Sequence, residues 1–359
     1  MNILHLAPDL NWAQIFILPL AEKQSIKGNK VYISTPMSNS SSIKSTSVKF
    51  VGLAGKLKDP KAHFVGLFRI INIIKNQSIS RVYLHTCVDS FFPIIFIRFF
   101  TKAQIVYVNH GVPYDGYKGV ARLAFQLIEC SNITLSHRTI SITRSMTGLL
   151  QKVNIFNKPI DTLYPGTIAG IDFKIPNYKL LLDKRRFNAK TNQLRIIYVA
   201  RVEKRKGIYE LIEAISKFEN TNIHLTIYGS GAHVLDDMSL DANFISIKGY
   251  INDLTESYLE ADILIVPSYH EGFGQVYLEA ASLGVIPVCA DILGPTDFIK
   301  HGNNGFTVEP KSVKSISRLL KDINDGVYDL EKIRFNAFHS AKKFESSEVL
   351  HKNMKEIDK

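Results

Sequence analysis

Short runs of β-branched and aliphatic residues alternate with longer stretches of helical periodicity along nearly the whole chain, and few folds accept that alternation. Strands that read as continuous apolar runs are buried on both faces, so they belong to a parallel sheet covered by helices, built from repeated βαβ units. Strands are expected at Asn2–Leu6, Lys30–Ser34, Arg81–His85, Ile105–Asn109 and Thr139–Ser141. Helices are expected between them over Ile15–Lys27, Phe64–Gln77, Ser90–Phe99, Val120–Glu129 and Arg144–Gln151. The pattern falters from 165 to 193, with Pro165-Gly166-Thr167, Ile175-Pro176-Asn177 and the basic Lys184-Arg185-Arg186. It restarts with a strand at Leu194–Ala200, a helix over Gly207–Phe218 and strands at His224–Tyr228, Phe244–Lys248, Asp262–Pro267 and Val285–Ala290. The expected organisation is α/β throughout: a domain over 1–170, a linker over 171–193, a second domain over 194–345, and a C-terminal helix over 346–359 packing back on the first. Ser38–Ser47 reads as a loop, and no repeat of solenoid period is present.

Length and composition agree with two globular domains. At roughly 150 residues per domain, 359 residues make two; 45% hydrophobic and 21% charged residues with mean hydropathy near zero exclude a disordered chain. The longest apolar run, Phe91–Phe100, contains Arg98 and is half the ~20 residues that span a bilayer. Met1–His5 has no basic segment before an apolar run, so no signal peptide is expected, and the predicted location is the cytoplasm. Cys87, Cys130 and Cys289 are far apart and lack metal-binding spacing, which suits a reducing compartment. The charge is lopsided. Residues 1–190 hold 25 basic and 9 acidic side chains, and the rest hold 19 and 24. A basic half suits nucleic acid, an anionic membrane leaflet or a phosphorylated acceptor, or is simply a solvated surface.

In an open parallel sheet, ligands bind beyond the carboxyl ends of the strands. Three such turns stand out. Leu194–Ala200 is followed by Arg201, Lys204, Arg205 and Lys206, and then by Gly207 opening a helix. His224–Tyr228 is followed by Gly229-Ser230-Gly231. Asp262–Pro267 is followed by Ser268 through Gln275 and a helix containing Glu279. Glycines admit phosphate oxygens close to the backbone, a helix start offers free N–H groups, and Arg and Lys neutralise the remaining charge, which together suit a nucleotide diphosphate. Glu279 lies one turn beyond Gln275 on the same face, where a carboxylate can take ribose hydroxyls. Each feature alone has a plainer reading as a tight turn or a solvated charge; their convergence on one sheet edge is the signal.

The run Glu271-Gly272-Phe273-Gly274-Gln275-Val276-Tyr277-Leu278-Glu279 resembles the Glu-x7-Glu signature of family 4 retaining glycosyltransferases of the GT-B fold, whose two Rossmann-like domains face each other across a cleft. Pro267-Ser268, Gly284–Val288 and the pairing of Arg201 with Lys206-Gly207 fit the same family, as do Gly294 and Gly302–Gly305, while Asp297 stands where a Glu is usual. The resemblance implies that Arg201 and Lys206 bind the donor diphosphate and that Glu271 binds the donor sugar. It implies that backbone around Gly272, Phe273, Gly274, Gln275 and Val276 holds sugar and phosphate, with Gly229 and Gly231 in the adjoining turn. Glu279 would take the ribose, and Gly249-Tyr250 would lie near the base. No Asp-x-Asp occurs, so no metal or cofactor is expected beyond the nucleotide sugar itself.

By the same resemblance the first domain takes the acceptor, and His110, at the end of Ile105–Asn109, lies by the sugar's reacting carbon as a catalytic residue beside Glu271. Read alone it is a satisfied structural histidine. The turn Ala7–Gln14 lacks the Gly-Gly pair usual after the first strand. The implied reaction moves a hexose, UDP-linked by family frequency, to a hydroxyl of a lipid-linked oligosaccharide in capsule or O-antigen synthesis. A peripheral contact with the inner face of an anionic membrane would occupy the basic half, and no nucleic-acid partner is expected. The aromatic, basic stretch Phe91–Lys118 fits such docking, and a sheet-covering helix accounts for Ser90–Phe99 equally. Two other classes are a nucleotide-sugar epimerase of the same fold, which needs no acceptor, and a non-catalytic nucleic-acid-binding protein.

Overall fold

A computed structural model of the chain describes residues 1–35, 47–52, 60–164, 166–175, 177–188, 193–218, 223–236 and 244–357. Residues 38–46 of the expected loop fall outside these. The chain divides into two compact units, 1–170 with 346–359 and 171–345.

The first unit carries β1 (Asn2–Leu6), β2 (Lys30–Thr35), β3 (Val48–Gly52), β4 (Arg81–His85), β5 (Gln104–Asn109), β6 (Arg138–Ser141) and β7 (Ile160–Thr162) in the order β3-β2-β1-β4-β5-β6-β7, every pair parallel. Its helices are α1 (Leu10–Phe16), α2 (Leu18–Ile26), α3 (Pro60–Asn76), α4 (Cys87–Phe100), α5 (Gly119–Leu135) and α6 (Arg144–Val153). The helix expected over Ile15–Lys27 is two helices. Asp9 caps the first by accepting from the Trp12 amide, and Pro19, which has no N–H to donate, fits in the first turn of the second. One face of the sheet is covered by α3 and α4. Leu67, Ile70, Ile71 and Ile74, at i, i+3, i+4 and i+7, press with Ile94 and Ile97 onto Leu4, Val82, Leu84, Ile105 and Tyr107.

The second unit carries α7 (Tyr178–Asn188), β8 (Leu194–Val199), α8 (Ile208–Ser216), β9 (Ile223–Tyr228), β10 (Ile245–Gly249), α9 (Thr255–Glu260), β11 (Ile263–Val266), α10 (Gln275–Ser282), β12 (Ile286–Ala290), α11 (Pro295–Phe298), β13 (Phe306–Val308), α12 (Val313–Asn324) and α13 (Leu330–Ala341). Its sheet is again wholly parallel, ordered β10-β9-β8-β11-β12-β13. The core strand β11, Ile-Leu-Ile-Val, is entirely inaccessible. The chain closes with α14 (Ser346–Ile357), which belongs to the first unit, where Asn353 donates to the carbonyls of Thr167 and Ile168.

The segment 171–193 differs from a bare connector. It contains α7, whose Leu181 is fully buried. The Arg185 guanidinium donates to the carbonyls of Tyr258, Ala261 and Leu283 and lies 3.4 Å from Asp262. Burial, then the nearby Arg334, holds Arg185 down to about 9. The basic cluster read as part of the linker therefore places one member, Arg185, deep in the second unit.

Both sheets are doubly wound. Strand order reverses between β1 and β4 in the first and between β8 and β11 in the second, and the crevice at such a reversal is where open α/β sheets place their ligands.

Candidate functional site

In the second unit the reversal brings the first and third of the marked turns together. Beyond β8 the chain makes a tight turn over Lys204–Lys206 and enters α8 through Gly207, at φ +72°. A Cβ on Gly207 would lie 2.2 Å from the Pro267 carbonyl oxygen, so only glycine allows the two turns to approach this closely. The consequence is an ion pair. Lys206 Nζ lies 2.5 Å from Glu271 Oε1, and Ser268 Oγ donates to the same oxygen at 3.0 Å. The two charged side chains are only 18% and 15% exposed, so their attraction is screened far less than that of a surface pair. Tyr269 adds a hydrogen bond to Glu210 of α8, tying the two turns a second time.

Behind Glu271, α10 starts at Gly274, which brings no side chain to cap it. The first turn of the helix presents its amides at this edge, and the positive end of its dipole adds to the Lys206 field. Phe273 turns its ring inward against Phe344, so its contribution to this edge is limited to backbone. Gly294 stacks on the turn from the β12 side. At φ +97° a Cβ there would meet the Gly272 carbonyl oxygen at 1.7 Å. On α10, Glu279 is pushed up by burial and pulled back by Lys174, itself held 2.8 Å from Asp253.

Other marked residues take different places. Arg201 is 63% exposed and pairs with Glu203 at 3.3 Å, not with Glu271. Gly229 receives no side chain because Ala200 runs against it, and its amide bonds the Gly249 carbonyl at 2.8 Å, which aligns the ends of β9 and β10. Gly231 opens the short turn Ala232–Leu235. Tyr250, just past β10, is 66% exposed. Gln275 and Val276 are partly exposed at the helix start. Glu203 and Lys174 were not expected at the site; as single polar residues in loops they carry no spacing signal, whereas Ser268 lay in the marked turn and is found hydrogen-bonded to Glu271.

His110 lies in the first unit, just after β5, one strand beyond the matching reversal between β1 and β4. It is partly exposed, 3.0 Å from His85 through Nε2 and Nδ1, and Trp12 meets its ring edge-on at 4.6 Å. Burial lowers it to about 3, so the imidazole is neutral at physiological pH. The turn that lacks Gly-Gly thus delivers an aromatic lid onto this histidine, with Trp12 at the start of α1. Beneath it, Tyr107 and Asn109 donate to Glu129 Oε1 at 2.6 and 3.0 Å, and Asn109 also reaches the Gly111 carbonyl at 3.0 Å, which ties down the turn carrying His110. Among the described residues, no group of three or more His, Cys, Asp or Glu is placed to hold a metal ion.

Residues 182–337 match the family model "Glycosyl transferases group 1". Over 262 residues, 68% of this chain and 66% of the relative, the sequence is 28% identical to the capsular polysaccharide biosynthesis glycosyltransferase CapM of Staphylococcus aureus. The chain spans between half and two thirds of the length of that protein and of another curated relative. Among solved structures it aligns over its whole length with 99% of the Anabaena protein HepE in complex with UDP-glucose, at TM-score 0.77 and 14% identity. It aligns equally fully with WaaG, a glycosyltransferase involved in lipopolysaccharide biosynthesis, at TM-score 0.75 and 18% identity. At these identities the structural likeness establishes the fold, that of GT-B glycosyltransferases, with two Rossmann-like domains.

Proposed function

Since residues 182–337 match the group 1 glycosyl transferases within a GT-B chain, we propose that this protein transfers a hexose from a nucleotide diphosphate sugar, UDP-linked, to an acceptor hydroxyl with retention at the anomeric carbon. The observation that carries the reading is the Lys206–Glu271 pair with Ser268, set at the strand-order reversal beside the glycine-opened start of α10. A diphosphate takes over the Lys206 ammonium and the α10 amides, with Arg201 as a further cation, while the released Glu271 carboxylate accepts from sugar hydroxyls. Glu279 receives the ribose, and Gly249 and Tyr250 border the base. As the sugar–phosphate bond breaks, charge on the leaving diphosphate is met by fixed cations and a helix dipole, so the reaction needs no metal. From the first unit, His110, neutral, is the histidine proposed to act in the transfer.

The acceptor proposed is a lipid-linked oligosaccharide of capsule or lipopolysaccharide assembly, met at an anionic membrane surface. Support comes from the outer layer of the first unit. On α3, α4 and α5 the side chains of Phe64, Phe68, Phe99, Phe100, Val120 and Leu127 are each at least half exposed, beside exposed Arg69, Lys75, Lys102, Lys118 and Arg122. No helix among the described residues is long and apolar enough to cross a membrane, so this face would rest on the surface.

The test is transfer from a panel of nucleotide sugars, preceded by ligand-induced thermal stabilisation to find the donor. Lys206→Ala and Glu271→Ala should abolish transfer while circular dichroism stays unchanged; full activity in either overturns the assignment. Interconversion of the donor sugar without any acceptor would favour the epimerase reading instead.

A further inference from the structure

Three neighbouring strands of the first unit lead to histidine. His5 lies on β1, His85 closes β4 and His110 follows β5, and the sheet sets these strands side by side. Their rings form one hydrogen-bonded file. Gln24 Oε1 lies 2.8 Å from His5 Nε2, His5 Nδ1 lies 3.1 Å from His85 Nε2, and His85 Nδ1 lies 3.0 Å from His110 Nε2. Gln24, His5 and His85 are buried to within 1%. The rings are held in place. Tyr83 stacks on His5 at 4.7 Å and 9°, and Trp12 packs against both His85 and His110.

We propose that Gln24, His5 and His85 are positioning residues that hold His110 in its Nε2–H form, leaving Nδ1 as a hydrogen-bond acceptor for a substrate hydroxyl. A neutral imidazole has one N–H and one lone pair, so in a file of such rings the direction of donation is set at one end and copied along it. Gln24 presents its carbonyl oxygen, which only accepts. His5 therefore donates from Nε2 and accepts at Nδ1, His85 does the same, and His110 spends its single proton on His85. Neutrality is supplied by burial, which holds His85 well below the ordinary histidine range, with His110 and His5 adding to it, and lowers His110. The Gln24 amide nitrogen has no hydrogen-bond partner among the described residues. A buried amide with an idle N–H is costly, which fits a residue kept for the direction of its carbonyl. A lone pair on Nδ1 attracts a hydroxyl proton and repels phosphate oxygen, so the file also selects which part of the substrate rests here.

The role in transfer depends on His110 standing at the reacting sugar; the tautomer does not. Ring-nitrogen NMR of the full chain labelled with 15N-histidine reads the tautomer with no need for activity. At neutral pH the expected result is a protonated Nε2 and an unprotonated Nδ1 on His110. Gln24→Met should release the file and move both His110 shifts toward a tautomer average. A wild-type His110 protonated at Nδ1, an averaged pair in the wild type, or shifts unchanged in Gln24→Met would each overturn the proposal, and the wild-type spectrum decides even if the variant fails to fold. With a donor and acceptor in hand, Gln24→Met should lower kcat by about tenfold to a hundredfold, as when the partner orienting a functional histidine is removed, with KM little changed. The expected tautomer in a chain that transfers no sugar would overturn the reaction and leave the file standing. Wild-type transfer in a Gln24→Met protein with a released tautomer would overturn the file's role and leave the reaction standing.

Discussion

Glu129 is the most informative single group for the stability of the first unit. It sits on α5 with no solvent exposure, accepting from the Tyr107 hydroxyl at 2.6 Å and from Asn109 at 3.0 Å. Burial raises its carboxyl to about 7 from an ordinary 4.5, against the pull of hydrogen bonds from Cys87, Tyr107 and Asn109. A carboxyl raised on folding stabilises the native state below its unfolded value, and that contribution is lost as pH rises through the folded one. A displacement from 4.5 to about 7 corresponds to about 3 kcal/mol. Glu129→Gln mimics the protonated acid, since its amide oxygen accepts the same two bonds and its N–H group replaces the acid O–H. The variant should match the wild type to within about 1 kcal/mol near pH 4.5 and exceed it by about 3 kcal/mol near pH 8. The assay is urea denaturation followed by tryptophan fluorescence. Trp12 is the one tryptophan of the sequence and lies in this unit, so the signal reports the relevant transition. At about 1–3 kcal/mol per molar urea, the midpoints should separate by about 1 M or more at the higher pH. The neutral His85 and His110 have lowered folded values, so their contribution is present above about 6.5 and lost in acid, but it is common to both proteins and cancels in the difference. A stability difference that does not change with pH, or that shrinks as pH rises, would refute the reasoning.

Further predictions concern the second unit and the exposed face of the first. Gly294→Ala places a methyl group where the Gly272 carbonyl stands, at a positive φ. It should cost about 1–3 kcal/mol of backbone strain and weaken nucleotide binding through displacement of the Glu271 turn; calorimetry showing wild-type affinity for UDP would contradict this. Arg185→Met strands three buried carbonyls beneath α7 and should destabilise the second unit by about 3 kcal/mol, measured as a lowered melting transition, with Arg185→Lys failing to restore it because an ammonium lacks the planar fork. The double variant Phe99→Ser, Val120→Ser should cosediment less with anionic vesicles than the wild type and keep its nucleotide affinity. A wild-type chain that ignores anionic vesicles would remove the membrane from the proposal.

Much of the fold was legible because a parallel sheet buried on both faces leaves nothing to alternation: β1, β4, β5 and β11 are apolar runs and stand where those runs are. What the sequence hid has particular causes. β3, β7 and β13 are short edge or near-edge strands of three to five residues, too brief to show a period. The helix α7 reads as polar because Lys184, Arg185 and Arg186 crowd its end, yet Arg185 is satisfied by carbonyls that only the folded second unit provides. Trp12 and Asp9 looked like an irregular turn, and are a capped helix that carries an aromatic ring to His110.

By itself the sequence determined the two α/β domains, because these follow from local periodicity; from side-chain chemistry it offered the strand-end residues proposed for a diphosphate sugar. The tertiary structure decided which of those residues meet. Lys206 reaches Glu271 while Arg201 turns to Glu203, because β8 and β11 are neighbours at the reversal and Gly207 lets their turns touch. His5, His85 and His110 are distant in sequence and form one file only because β1, β4 and β5 lie adjacent in the sheet, a pairing set by long-range packing that no local pattern encodes.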